Sequence, residues 1–472
     1  MVQSTASSPR NQFQSLRQRL EQEDALPFLK LLSRTTVAAA CCRIGHQWRE
    51  RIYTPWITLG MFLSQVLAAD PSCDQAVDRL QKYRNDRNLP KVAADSSAYC
   101  EARCRLPEAL AWDLVRQTGQ SIHQTAKPSW LFRGRAVKIV DGSTVIMPDT
   151  ARNQAAYPQS RTQAPGLGFP IARILVVFSL AVGTVLDAAV GPYKGKETGE
   201  LALFRKLTSQ FQRGDILLAD RFFCSYWQIA ALQAAGVDVV VRLHQRRTAD
   251  FRRGRRLGQE DHIITWTKPE QVPSWMTRAE YDAMPATLTI RELRVRVQDK
   301  TKRARNLVVV TTLLNAKDYP AKAIGHLYRQ RWHAELDLRA LKTHMKMEML
   351  RAKSPAMVRK EIAAHLIAYN LIRGLMAEAA RVEQVKPRAL SFMGAVHTVR
   401  AFEESHLYDP SQIASDLPRL LELIGEKCLT ERPDRSEPRA VKRRPKPHPL
   451  LTMRRGAAKR LIERGRHPYN KA

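Results

Sequence analysis

The sequence predicts an α/β fold: a mixed sheet with helices packed on it, a helical segment before it and a basic tail after it. Three observations point there. Short β-branched runs begin only at Ala136 and alternate with stretches of helical spacing. Two of the runs, Ile171–Leu180 and Thr184–Val190, are joined through Val182-Gly183, a hairpin turn. The later runs are separated by helical stretches, the pattern of βαβ units, so parallel and antiparallel neighbours share one sheet.

In chain order, residues 1–130 read as helical, with apolar residues at helical spacing in Leu26–Leu32, Trp56–Ala69 and Cys73–Tyr83. Asp70-Pro71-Ser72 is a helix start. Ala136–Val140 is a strand that stops at Asp141-Gly142, a turn dipeptide. After the hairpin come a helix over Glu200–Phe211, a strand Ile216–Ala219 ending at Asp220, a helix Ser225–Ala235 and a strand Val237–Leu243. Residues 244–304 are basic, polar and broken by Gly254 and Pro273, and include one alternating stretch, Thr287–Val297. They read as an inserted β-rich module. Asn306–Leu314 returns the chain to the main sheet, and two long helices follow, about Ala321–Met349 and Met357–Ala380.

Composition excludes several classes. With 44% hydrophobic and 26% charged residues, a chain of 472 is neither wholly disordered nor fibrous. The longest apolar stretch, Ile174–Leu186, is interrupted by Gly183 and falls short of the roughly 20 residues a spanning helix needs. Met1–Gln14 lacks the apolar core of an export signal. Seven irregularly spaced cysteines imply free thiols and a cytoplasmic setting. Cys100, Cys104 and His123 lack the fourth ligand of a usual zinc site. Lys and Arg number 77 against 45 acids, a net charge of +32, which calls for a polyanionic partner, most simply nucleic acid. Residues 431–472 hold 14 basic and 4 acidic residues around a Pro-rich centre, a tail expected to stay disordered until it meets a phosphate backbone.

Three acids stand out by position. Asp141 and Asp220 end strands that can be neighbours, and Glu335 lies inside the long helix. Each alone has an ordinary role: a turn, a helix cap, an ion pair with Arg331 or Arg339. Together, three carboxylates in a basic protein repel one another unless a cation lies between them, and hard oxygen ligands suit Mg²⁺ or Mn²⁺. Two such ions serve phosphodiester chemistry. Tyr328, Arg331, Glu335 and Lys342 sit at offsets 0, 3, 7 and 14, which on an α-helix at about 100° per residue project into a strip roughly 60° wide. A core-facing helix would put apolar residues there. Here the strip offers one acid for a metal and two cations with a phenol for phosphates.

The spacing Tyr-(2)-Arg-(3)-Glu-(6)-Lys resembles the signature of IS4-type insertion sequence transposases. Asp141 in Ile139-Val-Asp-Gly-Ser-Thr144 and Asp220 in Leu217-Leu-Ala-Asp-Arg-Phe222 are similar to that family's first two catalytic acids. The resemblance implies a ribonuclease H-like fold, with Asp141, Asp220 and Glu335 as a DDE triad holding two Mg²⁺ (Mn²⁺ substituting) and Tyr328, Arg331 and Lys342 on phosphates. It implies double-stranded DNA, transposon ends and target, as substrate, a homodimer on paired ends, and no membrane. Some relatives stack a flipped base on an aromatic residue, for which Trp266 or Trp275 would serve. The expected organisation is a helical, DNA-end-binding segment at 1–130, a catalytic domain at 131–380, a helical dimerisation region at 381–430 and the basic tail at 431–472. The alternatives are a ribonuclease H-like nuclease without strand transfer and a non-catalytic DNA-binding protein.

Overall fold

A computed structural model describes residues 32–86, 88–162, 164, 166–298, 304–405, 410–429 and 453–466. Nine strands form one sheet: β1 (Val137–Ile146), β2 (Ile171–Ser179), β3 (Val185–Pro192), β4 (Ile216–Ala219), β5 (Asp238–Arg242), β6 (Arg255–Gly258), β7 (Asp261–Thr267), β8 (Thr287–Gln298) and β9 (Ala304–Thr311). Their spatial order is β3-β2-β1-β4-β5-β9-β8-β7-β6. The first three are an antiparallel meander, β4 and β5 run parallel to β1, and β9 returns antiparallel beside β5. The mixed sheet is the one expected. The hairpin turn is also where the sequence puts it, with Gly183 at φ +81.

Two expected boundaries move. Asp141 does not end β1: antiparallel pairing with β2 carries the strand on to the Ile146–Ile171 pair, so Asp141-Gly142 is mid-strand rather than a turn. What ends near Asp141 is the pairing with β4, whose last register pair is Ile139–Leu218. The inserted β-rich segment 244–304 also continues the main sheet rather than standing off from it. Its strands β6, β7 and β8 extend the main sheet through β9.

Before the sheet the chain forms helices α1 (Arg34–Arg43), α2 (Pro55–Leu67), α3 (Cys73–Asp86), α4 (Ser97–Arg105) and α5 (Glu108–Gln124). Leu26–Leu31 lies outside the described residues. Short helices α6 (Ala151–Ala156), α7 (Glu200–Arg205), α8 (Tyr226–Ala234) and α9 (Arg278–Ala283) follow strands of the sheet. The expected helix over Glu200–Phe211 stops at Arg205 and resumes as one 3₁₀ turn, Thr208–Gln210.

The expected single helix Ala321–Met349 is broken. It runs as α10 (Ala321–Arg329), α11 (Trp332–Arg339) and a π turn, Ala340–His344. At the break the amides of Gln330, Arg331 and Ala334 bond three residues back, to Leu327 (2.9 Å), Tyr328 (3.1 Å) and Arg331 (3.0 Å). Those tight turns interrupt the α ladder. Then come α12 (Pro355–Val382), α13 (Phe392–Ser405), α14 (Pro410–Gly425) and α15 (Arg455–Glu463).

Alternate residues of β2 serve two cores. Ile174, Val176 and Phe178 pack on the buried helix α12, with Phe178 edge-on to Tyr369. Leu175 and Val177 pack on Leu203 and Phe204 of α7 and Ile229 of α8. Burial on both faces is why the apolar run Ile174–Leu186 does not alternate. At about 1.5–3 kcal/mol per buried aliphatic side chain, these two layers fix where the strand ends lie.

Most of the tail lies outside the described residues. Over 453–466, however, the expected disorder gives way to α15, whose Arg455 pairs with Asp149 and stacks on Phe169, 4.1 Å from the ring centre. Contact with the loop after β1 orders what the segment's own apolar content could not. Among the described residues, no helix is long and apolar enough to cross a membrane.

Candidate active site

The site is built where β1 and β4 part. Extending their register by two pairs sets Asp141 beside Asp220. Asp141 shares a strand face with Ile139, which packs on α10 and on Ala334 of α11. Its Oδ1 accepts from the Gly142 amide at 2.9 Å. Asp220 caps the 3₁₀ turn Arg221–Phe223, accepting from the Phe222 amide at 2.7 Å. Glu335 sits in the first turn of α11 and accepts from Arg331 Nη2 at 2.6 Å. Nη1 of the same guanidinium lies 4.0 Å from Asp141 Oδ2. The ordinary roles of Asp220 as a cap and Glu335 as an ion-pair partner are therefore real, and they coexist with the clustering.

The acids sense one another. Burial lifts the Asp141 carboxyl to about 6; the charges of Asp220 and Glu335 push it the same way, while the Gly142 amide and Arg331 oppose. Burial also raises the Tyr328 phenol, while the charges of Arg331 and Arg242 oppose and that of Asp220 adds to it. Tyr328 is at the end of α10 and almost fully buried.

Lys342 stands apart. It lies in the π turn, 3.6 Å from Glu348, and among the described residues no ion pair joins it to the acids. The π turn shifts its phase away from the ideal strip drawn from the sequence.

Among the described residues, no three His, Cys, Asp or Glu side chains close tightly enough to enclose a metal ion. Between Asp141 and Glu335 the counter-charge is Arg331. The donor chemistry still fits a hard divalent cation: the groups are all carboxylates, and a half-buried, mutually repelling set is relieved by added positive charge. Cys100, Cys104 and His123 form no zinc site, since Arg103 lies on Cys100 and His123 bonds Ser179 at 2.8 Å.

Three features escape sequence reasoning. Arg242 follows Val241, the register partner of Ala219, and so ends β5 next to Asp220; the strand spacing contained that signal. Phe222, Trp332 and Leu336, within three residues of Asp220 or Glu335 along the chain, are large apolar side chains left exposed. Asp337, two residues after Glu335, is fully buried and held by Arg373 (2.5 Å) and Arg388 (2.7 Å to each oxygen). Local sequence cannot foresee those partners, which come from α12 and the segment after it. The expected base-stacking role of Trp266 fails: its ring is buried in the sheet, its Nε1 donates to Glu292, and Arg247 covers one face at 3.9 Å. Trp275 carries Arg205 over its ring at 4.2 Å.

A sheet ordered β3-β2-β1-β4-β5, with aspartates where β1 and β4 part and a glutamate on a helix packed across them, defines the class: a ribonuclease H-like α/β protein. Similarity to known proteins narrows it. Residues 133–371 match the family model described as the transposase DDE domain. Over 403 residues the chain is 30% identical to the transposase InsG for insertion sequence element IS4 of Escherichia coli, covering 84% of this chain and 85% of that one. Over 76 residues it is 37% identical to the transposase for insertion sequence element IS421 of Escherichia coli, covering 16% of this chain and 20% of that one. The chain belongs to the IS4 family of DDE transposases, enzymes that generally use divalent metal ions.

Proposed function

We propose that this protein binds the terminal inverted repeats of its own element as a homodimer, cleaves phosphodiester bonds at the element ends, and transfers the 3′-hydroxyls into target DNA. The observation that supports this is Arg331 linking Asp141 to Glu335 just past the last β1–β4 register pair, where Asp220 also follows its strand, in a chain of this family.

Asp141, Asp220 and Glu335 would hold two Mg²⁺, with Mn²⁺ as a substitute; when bound, these supply Lewis-acid activation of a water or 3′-hydroxyl and neutralise the leaving oxygen. The chain's own groups do the rest. Arg331 holds Glu335 in place and offers a phosphate ligand once DNA arrives. Tyr328, buried against Arg331, fixes that guanidinium and donates its phenol proton to a phosphate oxygen. Lys342 supplies a point charge for a phosphate further along the strand. The helices before the sheet read the element ends, the region 381–430 pairs two copies, and the tail 431–472 grips flanking DNA in the cytoplasm, on the nucleoid.

The test is direct. Purified full-length protein and Mg²⁺ are incubated with linear DNA carrying the element's ends and flanks. Nicking followed by joined products is expected from the wild type, and neither from Glu335→Ala. Cutting without joining would reduce the reading to a nuclease. Persistent cutting by Glu335→Ala would remove the acid assignment.

A further inference from the structure

The loop that leaves β5 is strongly basic. Residues 244–256 hold six arginines, Arg246, Arg247, Arg252, Arg253, Arg255 and Arg256, against one acid, Asp250. The loop starts directly after Arg242, at the sheet end that also carries Asp220. The side chains of Arg252 and Arg253 are 90% and 84% exposed, although both reach Asp250, at 2.8 and 3.4 Å.

A solvated charge run has no need of a fixed backbone, yet this one is pinned from below. Buried His262 on β7 bonds through Nδ1 to the Arg253 carbonyl oxygen at 2.6 Å, and its Nε2 lies 3.2 Å from Glu292 on β8. Glu292 in turn accepts from Trp266 Nε1 at 3.2 Å, and Trp266 carries the Arg247 guanidinium on its ring. Phe251 packs on His262 with ring centres 4.8 Å apart. Gly254, at φ +75, passes so close to β7 that a Cβ there would fall 2.2 Å from the Ile263 carbonyl oxygen. Removing a His–Glu pair from water is unfavourable in itself. What it accomplishes here is to hold an arginine-rich backbone in one shape.

Edge protection does not account for this. β6 is the last strand of the sheet, and Arg255 and Arg256 on it would be enough to discourage pairing with another chain. Arg246, Arg252 and Arg253 precede that strand. Planar guanidiniums match phosphate oxygens, and the ordering entropy of the backbone that carries them is already met before the ligand arrives.

We propose that the arginine loop 244–256 is a docking surface for the sugar-phosphate backbone of duplex DNA, built on the His262–Glu292–Trp266 scaffold and holding the duplex beside the acidic site. This rests on the reading of the chain as acting on DNA, and it adds the surface that positions it.

The experiment measures affinity of the full-length protein for a fluorescent random-sequence duplex by anisotropy over a range of KCl concentrations. Removing one arginine–phosphate pairing should lower the slope of log affinity against log salt by about 0.9. Substituting Arg252→Gln, Arg253→Gln, Arg255→Gln and Arg256→Gln together should reduce the slope by about 2–4 and weaken binding about tenfold or more near physiological salt. The matching Arg→Lys variant should keep most of the slope. A Gln variant with the wild-type slope and melting temperature overturns the proposal, as does a wild type without salt-dependent binding. A wild type that binds with this slope yet never cuts DNA instead removes the transposition chemistry and leaves the loop's role intact.

Discussion

Arg331 donates to Glu335 at 2.6 Å while its second terminal nitrogen stands 4.0 Å from Asp141, so one guanidinium joins helix α11 to strand β1. It is the counter-charge between Asp141 and Glu335. Replacing it should therefore do more than remove a phosphate ligand.

Arg331→Ala is expected to lower the rate of end cleavage about a hundredfold, because Glu335 loses the group that orients it. Affinity for end DNA should change much less. Arg331→Lys should recover little, since a single ammonium on a flexible stem lacks the rigid fork whose two nitrogens face the two carboxylates. Single-turnover cleavage alongside equilibrium binding reads the two effects separately. Full activity in the Lys variant would refute the bridging role.

Asp141 links pH to stability. Its carboxyl is raised from 3.8 to about 6 in the folded state, chiefly by burial, so between those values the native protein binds more protons than the unfolded chain. Stability of the metal-free protein should accordingly fall as pH rises through that window, with the penalty fully present above pH 6 and absent below 3.8. Asp141→Asn should stabilise the chain by about 1–3 kcal/mol near pH 8, and by almost nothing near pH 3.5. Thermal melts in EDTA at the two pH values measure it. Added Mn²⁺ should raise the melting temperature of the wild type more than that of the variant.

Asp337 anchors the helix that carries Glu335. Arg388 also donates to the carbonyl oxygens of Leu180 (2.9 Å) and Ser179 (3.0 Å), so the network ties α11 to the β2–β3 turn. Asp337→Ala takes the carboxylate from two largely buried guanidiniums and should cost about 3–5 kcal/mol. Urea denaturation is the measurement, and a loss below about 1 kcal/mol would show the triad to be dispensable.

Gly119 lies inside α5, where Ala would ordinarily be worth about 1 kcal/mol of added helix stability. Here a Cβ would fall 1.9 Å from the backbone oxygen of Val185 on β3. Gly119→Ala should therefore destabilise by several kcal/mol, of order 2–4, because one backbone must move away from the other. A higher melting temperature in this variant would contradict the observed packing.

Much of this protein is local and was therefore legible in the residues alone. β4 falls where its apolar run falls, α8 falls within the helical spacing of Ser225–Ala235, and the hairpin turns at Gly183 because only that residue readily takes a positive φ there. The spacing of Tyr328, Arg331, Glu335 and Lys342, with the two Asp contexts, likewise pointed to the family. What tertiary structure alone decided depends on partners far along the chain. Asp141-Gly142 reads as a turn until β2 pairs through it, and Trp266 reads as available until Glu292 and Arg247 enclose it. An ideal helix would put Lys342 on the strip with Glu335, but the tight turns at Arg331 and the π turn after α11 move it to Glu348. Backbone preference acts over a few residues and leaves its mark in sequence, whereas burial and cross-strand register are set by residues that lie far apart along the chain and leave none.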